Sequence, residues 1–253
     1  MIDIHTHIIP GIDDGADEIY DTLEMIKLAV RSGTTALVAT PHCNIPEMYE
    51  NFFGKYYVEQ YQKVTEAVKK ERLQIKILPG MEAFATEDLP ELIVNGKIMP
   101  LNQSRYVLVE FPFDAEPDFA FHVLKRMKEV GAIPVVAHAE RYEFVQDNPH
   151  IAYLWQKKGY AVQVNKGSFE GKFGNQPRKA AYRLLSHNLI SVVASDAHGY
   201  ERRTPYMKDI YEELSEDRTR KYMDMLFIQN PMKICNNQPV ERLEPVPFSR
   251  YEL

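Results

Sequence analysis

The first fifteen residues, MIDIHTHIIPGIDDG, constrain the fold of this chain more than any other stretch. Residues 2–5 are an apolar run that predicts a strand. Side chains alternate along a strand, so His5 and His7 point the same way and are able to bind one metal ion together. The proline and glycines that follow predict a turn, which returns Asp13 or Asp14 to the same end of the strand. A single His-x-His pair is weak evidence, and its meaning depends on what the rest of the chain supplies.

The hydrophobic pattern predicts seven strands, with a helix after each of the first six. The strand segments are residues 2–5, 35–40, 75–78, 106–109, 133–137, 160–164 and 189–194. The helical segments are residues 17–32, 55–72, 89–94, 117–130, 148–158 and 176–187, with two more helices expected after residue 205. This alternation predicts a parallel sheet with right-handed crossovers. Regular spacing without a glycine-rich phosphate loop favours a seven-stranded (β/α) barrel, and a doubly wound open sheet is the alternative.

Length and composition predict a single domain. The 253 residues with 45% hydrophobic content suffice for one large α/β core over residues 1–253, with an irregular tail from about residue 232 to residue 253. The net charge of -6 disfavours a nucleic-acid partner, since binding a phosphate backbone requires a basic surface. Two cysteines, no basic leader and no run of eighteen apolar residues predict a cytoplasmic protein without membrane insertion.

Nitrogen and oxygen donors stand at the C-terminal ends of six of the seven predicted strands. Together with one aspartate of the first loop they are His5, His7, Asp14, His42, Glu82, Glu110, His138, Asp196 and His198. In a barrel these ends meet at one mouth, so the sequence predicts one polar site there. Taken singly, a histidine could cap a carbonyl and a carboxylate could pair with a lysine. Nine donors exceed the three or four that one catalytic zinc takes, and they suit a cluster of two or three divalent ions.

Two arginines are candidates for binding a phosphate. Arg141 and Arg203 lie just beyond ligand-bearing strand ends, and a guanidinium fork matches two phosphoryl oxygens. Arg202 is the rival of Arg203, and a solvated loop charge is the alternative interpretation of each. Both cysteines are expected to be inert. Cys43 follows His42 along a strand and so points the other way, and no arginine follows either cysteine at the spacing of Cys-dependent tyrosine phosphatases.

Several of these segments resemble the motifs of the PHP (polymerase and histidinol phosphatase) metallophosphoesterases. They are the His-x-His start, Thr-Pro-His42, Gly-Met-Glu82, Val-Val-Ala-His138 and Ser-Asp196-Ala-His198. More narrowly, the chain resembles the bacterial PHP-type tyrosine-protein phosphatases of capsule and exopolysaccharide loci. The segments that carry this resemblance are Met-Ile-Asp-Ile-His with Asp13-Asp14-Gly, Leu-Val-Glu110-Phe-Pro-Phe and His138-Ala-Glu-Arg141-Tyr. The likeness extends to about Pro231. Ala139 departs from it, because that family usually has proline there, and the change concerns loop rigidity and removes no donor.

The resemblance implies a distorted (β/α)7 TIM-like barrel of PHP type, with the metal site at the C-terminal mouth of the strands. It also implies three metal positions. The first is held by His5, His7, Glu82 and Asp196, the second by Glu82, Glu110 and His138, and the third by Asp14, His42 and His198. Ligation by nitrogen and oxygen without thiolate fits manganese, iron or zinc, and two or three divalent ions are expected, with manganese first. Arg141 and Arg203 are the expected catalytic residues.

The activity that the resemblance implies is hydrolysis of phosphotyrosine by a metal-bridging hydroxide, without a covalent phosphoenzyme. The expected partner is the tyrosine-rich tail of a cytoplasmic bacterial tyrosine kinase that controls capsule or exopolysaccharide synthesis. Histidinol phosphate and a nucleic-acid 3′ end are the alternative substrates, and the acidic net charge disfavours the second. A non-catalytic PHP binding module is a further alternative. Such a module should have gaps among its ligands, whereas every expected position here holds a donor.

Overall fold

The computed structural model describes residues 1–248, in which short strands alternate with helices. The strands are β1 (Ile2–Thr6), β2 (Ala36–Ala39), β3 (His42–Cys43), β4 (Lys76–Pro79), β5 (Glu82–Phe84), β6 (Tyr106–Glu110), β7 (Ile133–Val136), β8 (Ala161–Asn165) and β9 (Val192–Ala194). The α-helices are α1 (Ile19–Arg31), α2 (Lys55–Lys70), α3 (Leu89–Val94), α4 (Pro117–Glu129), α5 (Glu143–Asp147), α6 (His150–Lys157), α7 (Lys166–Phe169), α8 (Asn175–Ser186), α9 (Lys208–Asp217), α10 (Arg220–Asp224) and α11 (Asn230–Cys235).

The strands build one barrel wall from two hydrogen-bonded sheets. The order is β1-β2-β4 in the first sheet and β3-β5-β6-β7-β8-β9 in the second, and every pairing is parallel. The wall closes because the segment after β9 returns to β1. The Asp196 amide donates to the His5 carbonyl at 3.0 Å, and the His7 amide donates to the Ala197 carbonyl at 2.9 Å. The predicted barrel is thereby confirmed, and the open sheet is excluded.

Two of the seven predicted strands are interrupted, which is why the wall contains nine strand segments. Two residues separate β2 from β3, and two residues separate β4 from β5. The Tyr57 hydroxyl spans the second interruption, since it donates to the Gly80 carbonyl at 3.0 Å and accepts from the Gly80 amide at 3.1 Å. The resumed strands pair His42 with Glu82 in parallel register. Both residues therefore lie within strands and not, as predicted, just beyond them.

The barrel strands bury both faces, which explains why their sequences are apolar runs without a polar side. In β6, Val107 and Val109 pack among the helices, whereas Leu108 belongs to a second cluster inside the barrel. Ile234 and Cys235 of α11 join this inner cluster. The irregular tail therefore begins after Cys235 and not at the predicted residue 232, because α11 packs into the barrel interior.

Two smaller differences concern the last third of the chain. The seventh strand was expected from residue 189, but β9 begins at Val192. The Leu189 amide instead donates to the Leu184 carbonyl at the end of α8. A short helix, α5, precedes the predicted helix at residues 148–158, and a π-helical turn, Met225–Gln229, lies between α10 and α11. Within residues 1–248, no helix has the length and apolar character needed to cross a membrane.

We predict that Gly80→Ala destabilises the protein by about 1–3 kcal/mol, the usual range for overpacking a dense core. A Cβ atom at this position would lie 2.8 Å from Val38 Cγ1 and 3.0 Å from Leu101 Cδ2. The measurement is the midpoint of urea unfolding. Gly54→Ala is the matched control, since its Cβ would meet only the Phe52 carbonyl oxygen at 3.8 Å. Equal midpoints for the two variants would contradict the role given to the interruption.

Candidate metal centre

All nine predicted donors meet at the C-terminal mouth of the barrel. Four of them, His5, His42, Glu82 and Glu110, belong to strands, and the other five, His7, Asp14, His138, Asp196 and His198, belong to the loops that follow. Seven of the nine line a cavity of about 380 Å³. The remaining two, His5 and His7, are fully buried. The cavity volume falls in the range of small-molecule sites.

Four donor atoms surround one point at the base of this site. His5 Nε2 and His7 Nε2 are 3.2 Å apart. Glu82 Oε2 lies 3.1 Å from the first nitrogen and 3.3 Å from the second. Asp196 Oδ1 lies 3.4 Å and 3.5 Å from the same two nitrogens. Such separations suit atoms that share one ion at bond lengths of about 2.0–2.2 Å.

The outer hydrogen bonds fix the tautomers of both histidines. His5 Nδ1 donates to Gln163 Oε1 at 3.0 Å, and His7 Nδ1 donates to Asp13 Oδ2 at 2.7 Å. The Gln163 oxygen also accepts from the His138 amide at 2.9 Å, which fixes the orientation of the side-chain amide. Each Nε2 atom therefore carries a lone pair. In the neutral rings two lone pairs would face each other at 3.2 Å, and a proton or a metal ion between them removes their repulsion, so this pair fits a cation.

A second group of donors forms around Glu82 and Glu110. His138 Nε2 lies 3.0 Å from Glu82 Oε1 and 3.6 Å from Glu110 Oε2. On the other side, His42 Nδ1 lies 2.9 Å from Glu110 Oε1 and 3.1 Å from Glu82 Oε2. Glu82 thus faces both the first and the second group through its two oxygens, as a bridging carboxylate does.

A third group lies nearer the surface. Asp14 Oδ1 is 3.4 Å from His42 Nε2 and 3.4 Å from His198 Nε2. The His7 and His198 rings are also close, with centroids 3.8 Å apart. His42 therefore lies between the second and third groups, with one ring nitrogen towards each. The resemblance had assigned it to the third group alone.

Several donor atoms are buried without a hydrogen bond, although they lie close to one another. In the described residues these include His42 Nδ1, Glu82 Oε2, Glu110 Oε1 and His198 Nε2. Buried polar atoms are nearly always paired, so a group of such atoms facing one cavity requires an explanation. Nitrogen and carboxylate oxygen are the donors that manganese, iron and zinc accept, so cations fit this site.

The carboxylates give the site a strong negative potential. Burial alone raises the pKa of Glu82, but the nearby His5 and His42 outweigh burial and hold it well below its usual range. Burial likewise lowers the pKa of His42, yet the charges of Glu82 and Glu110 raise it to about 10. The same two carboxylates raise the pKa of His138 to about 9 against the effect of burial. A site that draws protons onto its histidines is one that favours positive charge.

Three site residues adopt the left-handed backbone region. The φ angles are 31° at His138, 51° at Asp196 and 48° at Arg203. Residues other than glycine seldom adopt this region, and those that do are concentrated at functional sites, where surrounding contacts hold them. His138 and Asp196 turn the chain just beyond β7 and β9, and Arg203 lies further along the loop that follows β9. The two turns direct the His138 and Asp196 side chains back over the mouth.

The sixth predicted strand, β8, supplies no ligand, but it supports three of them. Asn165 Nδ2 donates to Asp196 Oδ2 at 2.6 Å, and Gln163 Nε2 donates to Asn165 Oδ1 at 2.7 Å. Glu140 Oε1 accepts from the Asn165 amide at 3.0 Å, so this acidic residue of the His138 motif is structural. These supporting residues are not among the predicted site residues. The available signal was Gln163, a polar side chain in the middle of a buried apolar strand.

Asp13 is the second supporting residue, and it joins two ligands through one carboxylate. Its Oδ2 atom accepts from both His7 Nδ1 and the His42 amide, the latter at 2.9 Å. Its Oδ1 atom accepts from the Gly15 amide at 3.0 Å. The loop packs so closely that a Cβ atom on Gly15 would lie 2.2 Å from the His7 carbonyl oxygen. Between the two aspartates that the sequence left open, Asp13 orients histidines and Asp14 faces the cavity.

The two predicted arginines both reach the same cavity. Arg203 Nη2 donates to Asp196 Oδ2 at 2.7 Å, and Arg141 Nη1 lies 3.9 Å from the same oxygen. Arg202 is exposed and faces a neighbouring cavity of about 470 Å³, which Asp17 and other acidic residues line. The geometry therefore favours Arg203 over its rival.

The cysteines do not reach the cavity. Cys43 is fully buried, and burial together with the charges of Glu110 and Glu82 raises the pKa of its thiol well above the usual range. Burial raises the pKa of Cys235 to about 12. Because the thiolate is the nucleophilic form, both side chains are inert, as predicted.

A parallel barrel with clustered nitrogen and oxygen donors at its carboxyl mouth defines the class of metal-dependent hydrolases built on TIM-like barrels. The family described as "Capsular polysaccharide synthesis, CpsB/CapC" matches residues 1–236, so the chain belongs to this family. The family relationship predicted from the motifs is confirmed.

Relatives and a solved structure cover almost the whole chain. The chain is 35% identical to the tyrosine-protein phosphatase YwqE of Bacillus subtilis over 253 residues, which is 100% of this chain and 98% of that protein. It is 31% identical to the tyrosine-protein phosphatase CpsB of Streptococcus pneumoniae over 243 residues, 94% of this chain and 99% of that protein. A crystal structure from work on YwqE and CpsB, described as unique metal-dependent tyrosine phosphatases, superposes with a TM-score of 0.91 at 35% identity, covering 99% of this chain and 100% of that chain.

We predict that Asp13→Asn weakens metal binding by about 10–100-fold, the usual effect of removing a carboxylate that orients a ligand histidine. An amide cannot accept from His7 with the strength of a carboxylate, so the imidazole loses its fixed tautomer. The measurement is competition between the protein and a metal-binding dye. Asp17→Asn is the control, because this exposed residue lies in the same loop and contacts none of the nine donors. Unchanged affinity in Asp13→Asn would show that Asp13 does not orient a ligand.

Proposed function

We propose that this chain is a metal-dependent protein-tyrosine phosphatase. The observation that carries the proposal is 35% identity over its whole length to a tyrosine-protein phosphatase, together with donors at all nine motif positions. A binding module that had lost catalysis would be expected to lack some of these donors. The clustered lone pairs and the two arginines of one cavity further support catalysis.

The proposed metal ligands are the nine clustered residues. His5, His7, Glu82 and Asp196 would hold one ion, Glu82, Glu110 and His138 a second, and Asp14, His42 and His198 a third. Bound divalent ions, manganese first among the candidates, would supply Lewis acidity and lower the pKa of a coordinated water. The protein fixes its donors in advance through Asp13 and Gln163, so little reorganisation is needed when ions bind.

The proposed catalytic residues are Arg141 and Arg203. Their guanidinium groups flank Asp196 at the cavity wall, where they would bind the phosphoryl oxygens and stabilise negative charge in the transition state. The phenol of tyrosine has a pKa of about 10, so it leaves more readily than an aliphatic alcohol. Positive charge near the leaving oxygen is therefore sufficient without a dedicated proton donor.

The proposed target is the tyrosine-rich tail of a cytoplasmic tyrosine kinase that controls capsule or exopolysaccharide synthesis. The family description supports a role in capsular polysaccharide synthesis, and the names of the relatives support phosphotyrosine as the substrate group. The cavity mouth is open, so an extended tail could place a phosphotyrosine over the donors without unfolding a domain. Two buried thiols without a disulfide are compatible with a reducing cytoplasm.

Metal removal tests the proposed chemistry. We expect thorough chelation to reduce phosphatase activity to below about 1%, because the arginines alone do not generate a nucleophile at neutral pH. Added manganese should restore it. The measurement is the initial rate on a phosphotyrosyl peptide, with metal content determined in parallel.

A thiol variant provides the control for this experiment. Cys43→Ser should retain activity within about twofold, because the thiol is buried, protonated and not nucleophilic. Activity that survives metal removal, or that disappears in a folded Cys43→Ser variant, would indicate a different mechanism.

Substrate preference tests the proposed class of target. We expect the manganese-loaded protein to hydrolyse a phosphotyrosyl peptide with a higher kcat/KM than histidinol phosphate or single-stranded DNA. The phenol is the better leaving group, and the acidic chain disfavours nucleic acid. A hundredfold preference for histidinol phosphate, about 2.7 kcal/mol at the transition state, would overturn the tyrosine-phosphatase assignment but not the metal site.

A further inference from the structure

Two phenylalanines enclose the guanidinium of Arg141. Its Cζ atom lies 4.2 Å from the centroid of the Phe113 ring and 4.4 Å from the centroid of the Phe173 ring. Cζ lies over both rings, so Arg141 contacts two aromatic faces at once. We call Phe113, Arg141 and Phe173 the aromatic clamp. Arginine faces stack well on aromatic rings, and each such contact stabilises by about 0.5–2 kcal/mol.

The clamp holds Arg141 without using its hydrogen-bond donors. In the part of the chain that the structure describes, residues 1–248, its guanidinium donates no hydrogen bond, and its nearest carboxylate oxygen is 3.9 Å away. Arg203 differs, since it donates to Asp196 at 2.7 Å. Aromatic faces fix the plane of a guanidinium and leave its edge available. The edge of Arg141 is therefore able to bind an oxyanion in the cavity that it lines.

Phe173 is the partly buried member of the clamp. Its ring packs against the backbone of α7, where a Cβ atom on Gly167 would lie 2.9 Å from Phe173 Cε2. Arg203 is also near this ring, with its Cζ atom 5.7 Å from the centroid. One ring thus lies near both arginines, closer to Arg141 than to Arg203.

Phe113 is the solvent side of the clamp. It is 42% exposed, which is high for a large apolar side chain, and it lines the metal cavity. Its ring centroid lies 5.8 Å from that of His138 in an edge-on arrangement. An exposed aromatic ring beside the donors and beside a phosphate-binding arginine is placed to contact whatever group carries the phosphate.

We propose that the aromatic clamp is a substrate subsite in which Phe173 positions Arg141 for the phosphate, and Phe113 selects esters whose phosphate is attached to an aromatic ring. The proposal rests on the phosphatase function proposed above and assigns the aryl preference to a particular side chain. Phe173 is a positioning residue, because it acts through the arginines. Phe113 contacts the substrate ring itself.

The test uses two inert ligands, phenylphosphonate and cyclohexylphosphonate, which have the same anionic group and rings of similar size. Because neither is hydrolysed, leaving-group chemistry does not enter. Binding to the manganese-loaded protein is measured by calorimetry. We expect the native protein to bind the phenyl compound about three- to tenfold more tightly, as aromatic contacts of about 0.5–1.5 kcal/mol require. A ratio near one in the native protein would overturn the proposal.

Substitution of the two phenylalanines should change ligand binding in different ways. Phe113→Leu should bring the phenyl-to-cyclohexyl ratio close to one, and Phe113→Trp should preserve it. Phe173→Leu should weaken both ligands, and inorganic phosphate, by the same factor of about 2–30, the range of one lost cation–π contact, and leave the ratio unchanged. In an Arg141→Ala background, Phe173→Leu should cause a smaller loss than in the native protein, because its nearer contact, with Arg141, is gone and only the more distant one with Arg203 remains.

Phe119→Leu is the matched control. Phe119 belongs to α4, its ring packs on Phe111, and it lies outside the clamp. It should change neither the ratio nor phosphate binding. An unchanged ratio in Phe113→Leu, or additive losses in the Phe173 and Arg141 double variant, would overturn the proposal. Hydrolysis of phosphotyrosine by the native protein is measured separately. Failure of that reaction counts against the proposed function, whereas failure of the binding ratios in an active protein counts against the clamp alone.

Discussion

The convergence of four carboxylates and five histidines at the barrel mouth is the constraint on which the rest of the structure depends. Glu82, Glu110 and Asp196 are buried, where the low dielectric strengthens every charge interaction, and Asp14 lies at the more exposed edge of the group. Five histidines and two arginines surround them, and the supporting hydrogen bonds direct imidazole lone pairs inward and not away. Ions bound by these donors would stabilise the mouth further, which would couple its folding to metal binding.

The sequence predicted those parts of the molecule that follow from local pattern. Apolar runs revealed the strands, and parallel strands must bring their carboxyl ends together, so donors as distant as His5 and Asp196 could be assigned to one site. The barrel was confirmed for this reason. The inertness of Cys43 also follows from its position after His42 in a strand, and its burial agrees. The choice between the adjacent Arg202 and Arg203 needed the cavity geometry, because their positions in the sequence do not distinguish them.

The sequence could not reveal features that depend on contacts between distant elements. The hydrogen bond between His5 and Gln163 joins residues 158 positions apart, and no local pattern indicates that a glutamine in β8 fixes a tautomer in β1. The interruption at Gly80 depends on a tyrosine hydroxyl from α2. Most of α11 falls in the predicted irregular tail, and no local pattern indicates that its Ile234 and Cys235 pack into the barrel interior.

The closing contact between β1 and the segment after β9 determines when the site can exist. Ser195 donates its amide to the Asp3 carboxylate, 192 positions earlier in the chain. Closing so long a loop carries a large entropic cost, and contacts of this kind form late in folding. During synthesis the first two histidines leave the ribosome long before Asp196 and His198 are made. A nascent chain therefore has an incomplete set of metal ligands during most of its translation. The complete site forms only after the last strand and the loop that follows it have been made.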